Sequence, residues 1–480
     1  DCHGLPLENI IEQELDLKHK KDIEEFGIGK FNSAAAKAVL RYEADWKETI
    51  PKTGRFVDMD NPYKTMDSKY TESVWWSFKT LYDKKLIYEG YKIMLICPRC
   101  ETSLAQSEVA GSYQDVTDIS VTVKFELTSS LDTDIPARLR LDEVQADGRM
   151  NANDTNSTNG EKIFLLAWTT TPWTLPGNTA IAVNPNIEYA LIESKENDES
   201  KNGKFIVAKE RIEFLKIKHS LIKTIKGKEL VGKTYKPLFD YYAKTDIKNK
   251  ENARPTRPNV SSGRTRPNVS SGRTEHDESF GRGWKIYAGD FVTTETGTGI
   301  VHIAPAFGED DMNLRNQFNL PFIQHVGMDG RMKDEMSHFR GLYVKQKGDT
   351  QSTDIEIIKH LAREGLLFAK EKIVHPYPLC WRCDTPLLNY ATSSWFVKVT
   401  AIKKKLIKEN KKITWVPSHI KEGRFGKWLE GAKDWAISRT RFWGAPLPVW
   451  RCDSCKKIKV IGGLNELKEV SLKDNFFGTF

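Results

Sequence analysis

Cysteines at metal-binding spacing are the first residues of this sequence that could do chemistry. Six of the seven cysteines form three Cys-x-x-Cys pairs, namely Cys97/Cys100, Cys380/Cys383 and Cys452/Cys455. Two intervening residues make a tight turn, which lets both sulfurs of a pair reach one metal ion. No charged-then-apolar leader opens the chain, so we expect the pairs to bind zinc rather than to form disulfides.

The first two pairs together predict one structural zinc site, because four thiolates close a tetrahedral shell. The long segment between these pairs would then be a domain inserted into a small zinc module. The alternatives are two unrelated pairs or buried, redox-inert thiols. The third pair would be half of a second site, whose other ligands lie beyond Phe480 or are absent.

A second candidate site is a threonine-rich segment that ends in a proline-bearing turn. Thr169, Thr170 and Thr171 precede Pro172 and Trp173. Three adjacent threonines are unusual in a strand core, because buried hydroxyls must find hydrogen-bond partners. Beside an aromatic wall they would suit a small pocket for a polar, hydrolysable ligand. The alternative is an edge strand entering a turn, since threonine is also a good strand residue.

The third candidate is a strand that leads into a run of acids. His302 lies in the strand-like segment 299–304, and Asp311 follows shortly after Gly308. A histidine on an apolar strand is usually a core residue, and acids often begin a helix, where its dipole stabilises them. The combination with the threonine-rich segment favours a functional interpretation, in which His302 and Asp311 reach one pocket.

Two kinds of segment must position these residues. Residues 7–42 have the three-and-four spacing of amphipathic helices. From about residue 112 to about residue 371, short strand signals dominate, among them residues 163–168, 180–183, 204–208 and 299–304. In one of them, residues 119–126, apolar and polar side chains alternate, which is the pattern of a half-buried strand. The predicted fold class is therefore α/β, with a separate and mostly β domain inserted into a mixed one.

Composition limits the class of protein. The 480 residues are 39% hydrophobic and 10% aromatic, enough for packed cores in two or three domains. Lysine and arginine exceed aspartate and glutamate by 8, a mild excess that suits an anionic partner. No apolar run approaches a membrane span. We expect a loop at 146–160 and a disordered insert near 245–280, where segment 256–264 is repeated as 265–273.

Segments at both ends of the chain complete a resemblance to a known family. Asp1-Cys-His-Gly-Leu-Pro resembles the segment after the His-Ile-Gly-His signature of class I isoleucyl-tRNA synthetases, and residues 435–446 resemble their Trp-x-Ile-Ser-Arg region. Residues 173–178, together with the His302 segment and Asp311, resemble the two walls of that family's editing site. The first two cysteine pairs resemble its zinc module. The resemblance covers nearly the whole chain in the expected order.

The resemblance implies a domain order. It implies a Rossmann-type catalytic domain, incomplete in this chain, which a zinc module and a mostly β editing domain interrupt. The implied boundaries are 1–92 and 393–480 for the catalytic domain, 93–111 and 372–392 for the zinc module, and 112–371 for the editing domain.

The resemblance also implies residue roles. Asp1 would bind the α-amino group of isoleucine, while Trp395 and Trp435 would line its side-chain pocket. In the editing site, Asp311 would hold the α-amino group of mischarged valine, and His302 with Trp173 would shape a pocket too small for isoleucine. The terminal adenosine and the attacking water would be held by Thr169, Thr170 and Thr171. Asn178 would belong to the same wall of the site.

The implied function is ATP-dependent attachment of isoleucine to tRNA(Ile), with Mg²⁺ accompanying ATP, and hydrolysis of mischarged Val-tRNA(Ile). We expect the chain to be a fragment of a cytoplasmic monomer, with Zn²⁺ bound and no membrane partner. The sequence holds neither a His-Ile-Gly-His segment nor a Lys-Met-Ser-Lys-Ser loop, so we expect this chain to retain the editing site but not to activate isoleucine. The alternatives are a valyl-type synthetase and a non-enzymatic, zinc-stabilised module that binds tRNA.

Overall fold

The computed structural model describes residues 2–17, 20–129, 131, 162–242 and 281–473. The chain forms two compact units, the first of Asp1–Lys92, Arg99–Glu108 and Thr392–Phe480, and the second of Ile93–Pro98 and Val109–Ala391. Asp1, the segment 146–160 and the repeated segments lie outside the described residues. No helix among the described residues is long and apolar enough to cross a membrane. The predicted division into catalytic, zinc and editing parts stays a prediction.

Helices occur in both units. The α-helices of the described residues are Leu5–Glu14, Lys20–Phe26, Ile28–Val39, Glu43–Lys52, Ser68–Asp83, Gln106–Val109, Gly227–Leu230, Glu309–Phe318, Ser352–Arg363, Lys403–Asn410, Arg424–Glu430 and Leu464–Lys473. Short 3-10 helices lie at Pro172–Gly177, Glu199–Lys201, Lys209–Leu215, Val399–Ala401 and Ser418–Ile420.

The strands are numbered in chain order. They are β1 (Ile87–Cys97), β2 (Thr102–Ser103), β3 (Tyr113–Glu126), β4 (Ile163–Thr169), β5 (Ala180–Val183), β6 (Glu188–Ser194), β7 (Gly203–Ala208), β8 (His219–Lys226), β9 (Lys285–Ala288), β10 (Val301–Ile303), β11 (Leu367–Pro378), β12 (Leu388–Val397), β13 (Trp435–Ala436), β14 (Val449–Arg451) and β15 (Ile458–Val460). Four sheets result, in the orders β13-β12-β1-β2, β11-β3-β4-β7-β6-β8, β10-β5-β9 and β14-β15.

The first unit opens with the predicted amphipathic helices. Their apolar positions pack together in a buried cluster that contains Ile11, Ile23 and Phe31. The buried carboxylate of Glu8, on the first of these helices, accepts the backbone N–H groups of Phe442 and Trp443 at 2.8 and 2.6 Å. The helical prediction for residues 7–42 is confirmed, because helices occupy most of that segment.

The second unit contains the predicted strand-rich region. Its main core combines apolar side chains from the six-stranded sheet, such as Val123 and Leu165, with others from the three-stranded sheet, such as Ile181. The predicted strands around residues 163–168, 180–183, 204–208 and 299–304 are all present.

One detail of the strand prediction is wrong. The pattern of β3 predicts a half-buried strand, yet its alternate polar residues Ser120, Thr122 and Lys124 are buried as well. The reason is a second apolar cluster on that face of the sheet, to which 3-10 helix Lys209–Leu215 contributes Leu215. The Lys124 ammonium is satisfied there by the Ser200 carbonyl at 3.1 Å.

Candidate functional site

A cavity of about 180 Å³ in the second unit joins the threonine-rich segment to the His302 segment. It is lined by Trp168, Thr169, Thr171, Thr174, Val301, His302, Ala304, Phe307 and Asp311. Four of these residues belong to the set that the sequence predicts for one pocket: Thr169, Thr171, His302 and Asp311. The other predicted residues, Thr170, Trp173 and Asn178, do not line the cavity.

Strand pairing brings the two distant segments together. β5 pairs antiparallel with β10, so that His302 lies opposite Ile181. β4 ends at Thr169, and the tight 3-10 helix Pro172–Gly177 connects it to β5. Pro172 stands in the first turn of that helix, where the N–H that proline lacks would have no intrahelical partner. The turn therefore folds the threonine row back over β10.

The threonine hydroxyls find their partners mainly within the segment. The Thr171 backbone N–H donates to Thr169 Oγ1 at 3.1 Å, and the two hydroxyl oxygens lie 3.2 Å apart. Thr174 continues the row, with its Oγ1 at 3.3 Å from that of Thr171. These contacts answer the requirement that buried hydroxyls be paired, and they leave a line of hydroxyls facing the cavity.

His302 is held as a neutral imidazole. Its Nε2 lies 2.9 Å from Thr174 Oγ1, whose own proton is donated to the Thr171 carbonyl at 2.8 Å. The ring nitrogen must therefore carry the proton that it shares with Thr174. Burial, and to a lesser extent the nearby His325, lowers the pKa of His302 to about 4. Near neutral pH, His302 is a fixed hydrogen-bond donor.

Asn178 and Trp173 support the site without lining it. Asn178 accepts the Tyr235 hydroxyl at 2.6 Å and donates to the Ala180 carbonyl at 2.9 Å. Trp173 is 2% exposed and packs edge-to-face against Phe307, with 5.0 Å between ring centroids. Phe307 supplies the aromatic wall of the cavity, and Trp173 fixes Phe307 from the other side.

Asp311 is the acidic group of the cavity. It lies in the first turn of helix Glu309–Phe318, and its Oδ2 accepts the Ala304 backbone N–H at 2.8 Å. Gly308 is needed for this approach, since a Cβ there would lie 2.7 Å from Asp311 Cγ. Burial raises the pKa of Asp311 to about 7, against the opposing effect of the Ala304 hydrogen bond. A ligand ammonium beside this carboxyl would favour its ionised form.

The four cysteines of the first two pairs meet, as predicted. The sulfurs of Cys97, Cys100, Cys380 and Cys383 all lie within 4.8 Å of one another. Cys97 Sγ and Cys383 Sγ are 3.5 Å apart, far longer than a disulfide bond of about 2.05 Å. A zinc–sulfur distance of about 2.3 Å gives a tetrahedron with edges of about 3.8 Å. The donor set and its spacing therefore fit one zinc ion.

The third cysteine pair lies at the tip of the β14-β15 hairpin. The Cys452 N–H donates to the Lys457 carbonyl at 2.9 Å, and Cys455 is exposed. Within the described residues, these two thiols belong to no group of three or more metal-binding side chains. The half-site stays a prediction.

The residues predicted to bind isoleucine are partly described. Asp1 lies outside the described residues. Trp435 on β13 is paired with Val397 on β12, and Trp395 lies two positions before Val397. The two tryptophans therefore share one face of the sheet. Trp395 packs against Phe78 with ring centroids 5.7 Å apart, whereas Trp435 is 62% exposed.

Several cavity residues were not predicted from the sequence, namely Trp168, Thr174, Val301, Ala304 and Phe307. Thr174 offered a signal, because a fourth threonine three positions after Thr171 falls on the same side of a 3-10 turn. Phe307 offered no signal, because an aromatic residue between Pro305 and Gly308 is ordinary core composition.

Comparison with known proteins gives consistent results. Residues 1–476 match a family model described as tRNA synthetases class I (I, L, M and V). An isoleucine–tRNA ligase from Treponema denticola is 44% identical over 98% of this chain and 39% of its own length. One from Dehalococcoides mccartyi is 39% identical over 100% of this chain and 42% of its own length. The chain thus spans about two fifths of these relatives.

A solved structure, the editing domain of the P. knowlesi cytosolic leucyl-tRNA synthetase, aligns with 56% of this chain and 99% of its own. Its sequence identity is 14% and its TM-score is 0.30.

Proposed function

Because the chain belongs to the class I tRNA synthetases for isoleucine, leucine, methionine and valine, we propose that it is part of an isoleucine–tRNA ligase whose second unit edits mischarged tRNA. The relatives named isoleucine–tRNA ligase support isoleucine as the amino acid. The observation that carries the editing proposal is the single cavity that gathers Thr169, Thr171, His302 and Asp311.

A second site is needed because valine differs from isoleucine by only one methylene. Such a difference gives about 1–3 kcal/mol of discrimination in one pocket, and isoleucyl-tRNA synthetases are the standard example. A smaller pocket that admits valine and excludes isoleucine restores accuracy. Phe307, fixed by Trp173, supplies the apolar wall that sets this size limit.

The proposed reaction is ester hydrolysis by a positioned water. Asp311 holds the α-ammonium of the valyl group, and the hydroxyls of Thr169 and Thr171 hold the terminal ribose and the water. The water attacks the ester carbonyl carbon, the bond to the ribose oxygen breaks, and a proton passes from the water to that oxygen. The products are valine and tRNA(Ile). Catalysis then rests on orientation and electrostatics, without a covalent enzyme intermediate.

His302 acts in this scheme by position. Its lowered pKa and its hydrogen bond to Thr174 make it a poor proton acceptor near neutral pH. It fixes the Thr174 hydroxyl, and through it the geometry of the threonine row. Asn178 in turn supports the side of the imidazole that faces away from Thr174, with its amide nitrogen 3.5 Å from Nδ1.

We further propose that the cluster of Cys97, Cys100, Cys380 and Cys383 holds structural Zn²⁺. Four thiolates fill the tetrahedral shell and leave no position for a water or substrate, so the ion would stabilise the fold. The Cys380 backbone shapes one turn of the cluster, since its carbonyl accepts the Asp384 N–H at 2.8 Å.

For the whole protein, we propose a cytoplasmic monomer that uses isoleucine, ATP with Mg²⁺, and tRNA(Ile). Asp1, Trp395 and Trp435 would contact isoleucine in the first unit. The sequence given lacks both ATP-binding signatures, so this chain alone should show no isoleucine-dependent pyrophosphate exchange.

Hydrolysis of Val-tRNA(Ile) and Ile-tRNA(Ile) by this chain tests the proposal. Rapid loss of valine with isoleucine spared is the expected result. Equal loss of both would contradict the size limit, and loss of neither would contradict editing by this chain. A valyl-type enzyme would instead hydrolyse Thr-tRNA(Val). Preferential hydrolysis of that substrate would identify the chain as part of a valyl-tRNA synthetase. Binding of tRNA without hydrolysis would favour the non-enzymatic alternative.

A further inference from the structure

A buried charge cluster in the second unit has no role in the scheme above. The Lys345 ammonium lies 2.6 Å from Asp118 Oδ1 and 3.1 Å from Asp354 Oδ2. The three side chains are only 1–2% exposed. His375 Nε2 lies 3.1 Å from the other Asp118 oxygen and is 30% exposed. Buried charges are costly, and replacing them by apolar groups often stabilises a protein, so stability alone explains such a cluster poorly.

The backbone of Lys345 is also constrained. Its φ is 53°, in the left-handed region that residues with a side chain rarely adopt. Such a conformation persists where the surrounding structure fixes it. Here it holds the ammonium between the two carboxylates.

The cluster reaches the threonine-rich segment through Trp173. Asp354 Oδ1 accepts the Trp173 backbone N–H at 2.9 Å, while its other oxygen binds Lys345. On the opposite side of the same residue, His325 Nε2 donates to the Trp173 carbonyl at 2.8 Å. Gly177 leaves room for this ring, because a Cβ there would lie 2.4 Å from His325 Nδ1. Buried side chains thus hold both backbone polar groups of Trp173.

Trp173 occupies a decisive place in the turn. It stands between Thr171 and Thr174, whose hydroxyls line the cavity, and Thr174 is the partner of His302. A shift of the Trp173 peptide would move Thr174 away from His302 and break the hydroxyl row. A misplacement of about 1 Å can reduce a rate by roughly 100-fold. Side chains that fix the Trp173 peptide would therefore affect the rate of hydrolysis.

We propose that Lys345, with Asp118 and Asp354, is a positioning network that sets the threonine row for hydrolysis through the Trp173 backbone. The proposal rests on the editing function proposed above. Lys345 orients Asp354, Asp354 fixes the Trp173 N–H, and the turn presents Thr171 and Thr174. Without Lys345, two buried carboxylates would face each other uncompensated, and Asp354 would turn or take up a proton.

Lys345→Met tests the network, with Lys124→Met as the matched control. Lys124 is a second buried lysine of the same unit, whose ammonium contacts Ser200 and not the threonine segment. We expect Lys345→Met to lower kcat for Val-tRNA(Ile) hydrolysis by roughly 100-fold with little change in KM. Lys124→Met should lower the melting temperature and leave kcat unchanged.

Two Asp354 variants separate position from stability, and they carry the test if Lys345→Met does not fold. Asp354→Asn keeps an oxygen that can accept the Trp173 N–H, whereas Asp354→Ala removes it. The asparagine amide has only one acceptor oxygen for the Trp173 N–H and the Lys345 ammonium, so we expect the asparagine variant to lose part of kcat and the alanine variant to lose most of it. Equal losses in the two variants would overturn the proposal.

Amide hydrogen exchange tests positioning independently of activity. Lys345→Met and Asp354→Ala should accelerate exchange at Trp173 and Thr174 well beyond any change at Val123 in β3. Uniform acceleration, or none at Trp173, would overturn the proposal even if hydrolysis is impaired. If the unaltered chain shows no hydrolysis, the proposed function is overturned instead. Amide exchange at Trp173 in the two variants would then still show whether Lys345 and Asp354 hold this part of the backbone.

Discussion

The cavity of the second unit and the tryptophan face of the first unit are built in different ways. The cavity is lined by residues of one unit, and its ionisable groups are desolvated, so that the pKa of Asp311 is raised to about 7 and that of His302 is lowered to about 4. The tryptophan face consists of two neighbouring strands, and Trp435 on it is 62% exposed.

The difference shows what makes a site recognisable in a partial chain. Perturbed pKa values and the hydrogen-bonded row from Thr169 to His302 distinguish the cavity by physical criteria alone. The tryptophan face of Trp395 and Trp435 has no such feature to identify it. The proposed role of these two residues therefore depends on the family resemblance. The cavity can therefore be tested in this chain by its own chemistry, while the tryptophan face cannot.

The largest expected effect concerns the fold that carries the cavity. Cys380→Ser should abolish binding of one zinc ion per chain and lower the free energy of unfolding by several kcal/mol. The reason is that the binding free energy of a structural zinc contributes directly to folding. Zinc content by elemental analysis and the melting temperature measure this. Cys455→Ser is the control, since Cys455 is exposed and outside the four-cysteine cluster. Unchanged zinc content in Cys380→Ser would refute the proposed site.

The next effect separates the cavity from its surroundings. Asp311→Ala should reduce kcat/KM for Val-tRNA(Ile) hydrolysis by roughly 100-fold, because losing the partner of a desolvated ammonium costs about 3 kcal/mol. Asp310→Ala is the matched control, as Asp310 precedes it in the same helix turn but is exposed and does not line the cavity. Similar rates of hydrolysis in the two variants would show that Asp311 does not bind the substrate ammonium.

The pH dependence gives a smaller, graded effect. Asp311 must be ionised to hold the ammonium, and its pKa is raised to about 7, so it is mostly protonated below that pH. We therefore expect kcat/KM to fall about fivefold from pH 7 to pH 6. His302 does not titrate in that interval, since its pKa is lowered to about 4.

Asp354 needs separate control, because burial raises its pKa to about 6. Measured between pH 5.5 and 7, the pH step should persist in Asp354→Asn and vanish from the residual activity of Asp311→Asn. If the pH step instead disappears in Asp354→Asn and survives in Asp311→Asn, the group that titrates is Asp354.

The smallest effect lies on the other side of the comparison. Trp435→Ala removes an exposed side chain of the first unit, and we expect hydrolysis of Val-tRNA(Ile) to stay within about twofold of the unaltered chain, as for most surface substitutions. A large loss of hydrolysis would show that the tryptophan face contributes to editing.

The sequence predicted the parts of the site whose chemistry is local. The Cys-x-x-Cys spacing predicted the four-cysteine cluster because two residues between thiols fix the turn wherever the pairs lie. The alternation in β3 and the short apolar runs predicted strands because side-chain period follows from backbone geometry. The sequence favoured one pocket for Thr169, Thr171, His302 and Asp311 because two polar segments occur within one strand-rich region, and their hydroxyl, imidazole and carboxylate groups need hydrogen-bond partners when buried.

Only the tertiary structure decided which residues face the cavity. Trp173 and Asn178 belong to the predicted segment, yet they lie behind it, because the 3-10 turn directs Thr174 toward His302 and strand pairing places Phe307 at the wall. Lys345 stands far from the threonines in sequence and joins them only through Asp354. Burial, pKa shifts and hydrogen-bond partners depend on neighbours brought together by folding, and no pattern of nearby residues encodes them.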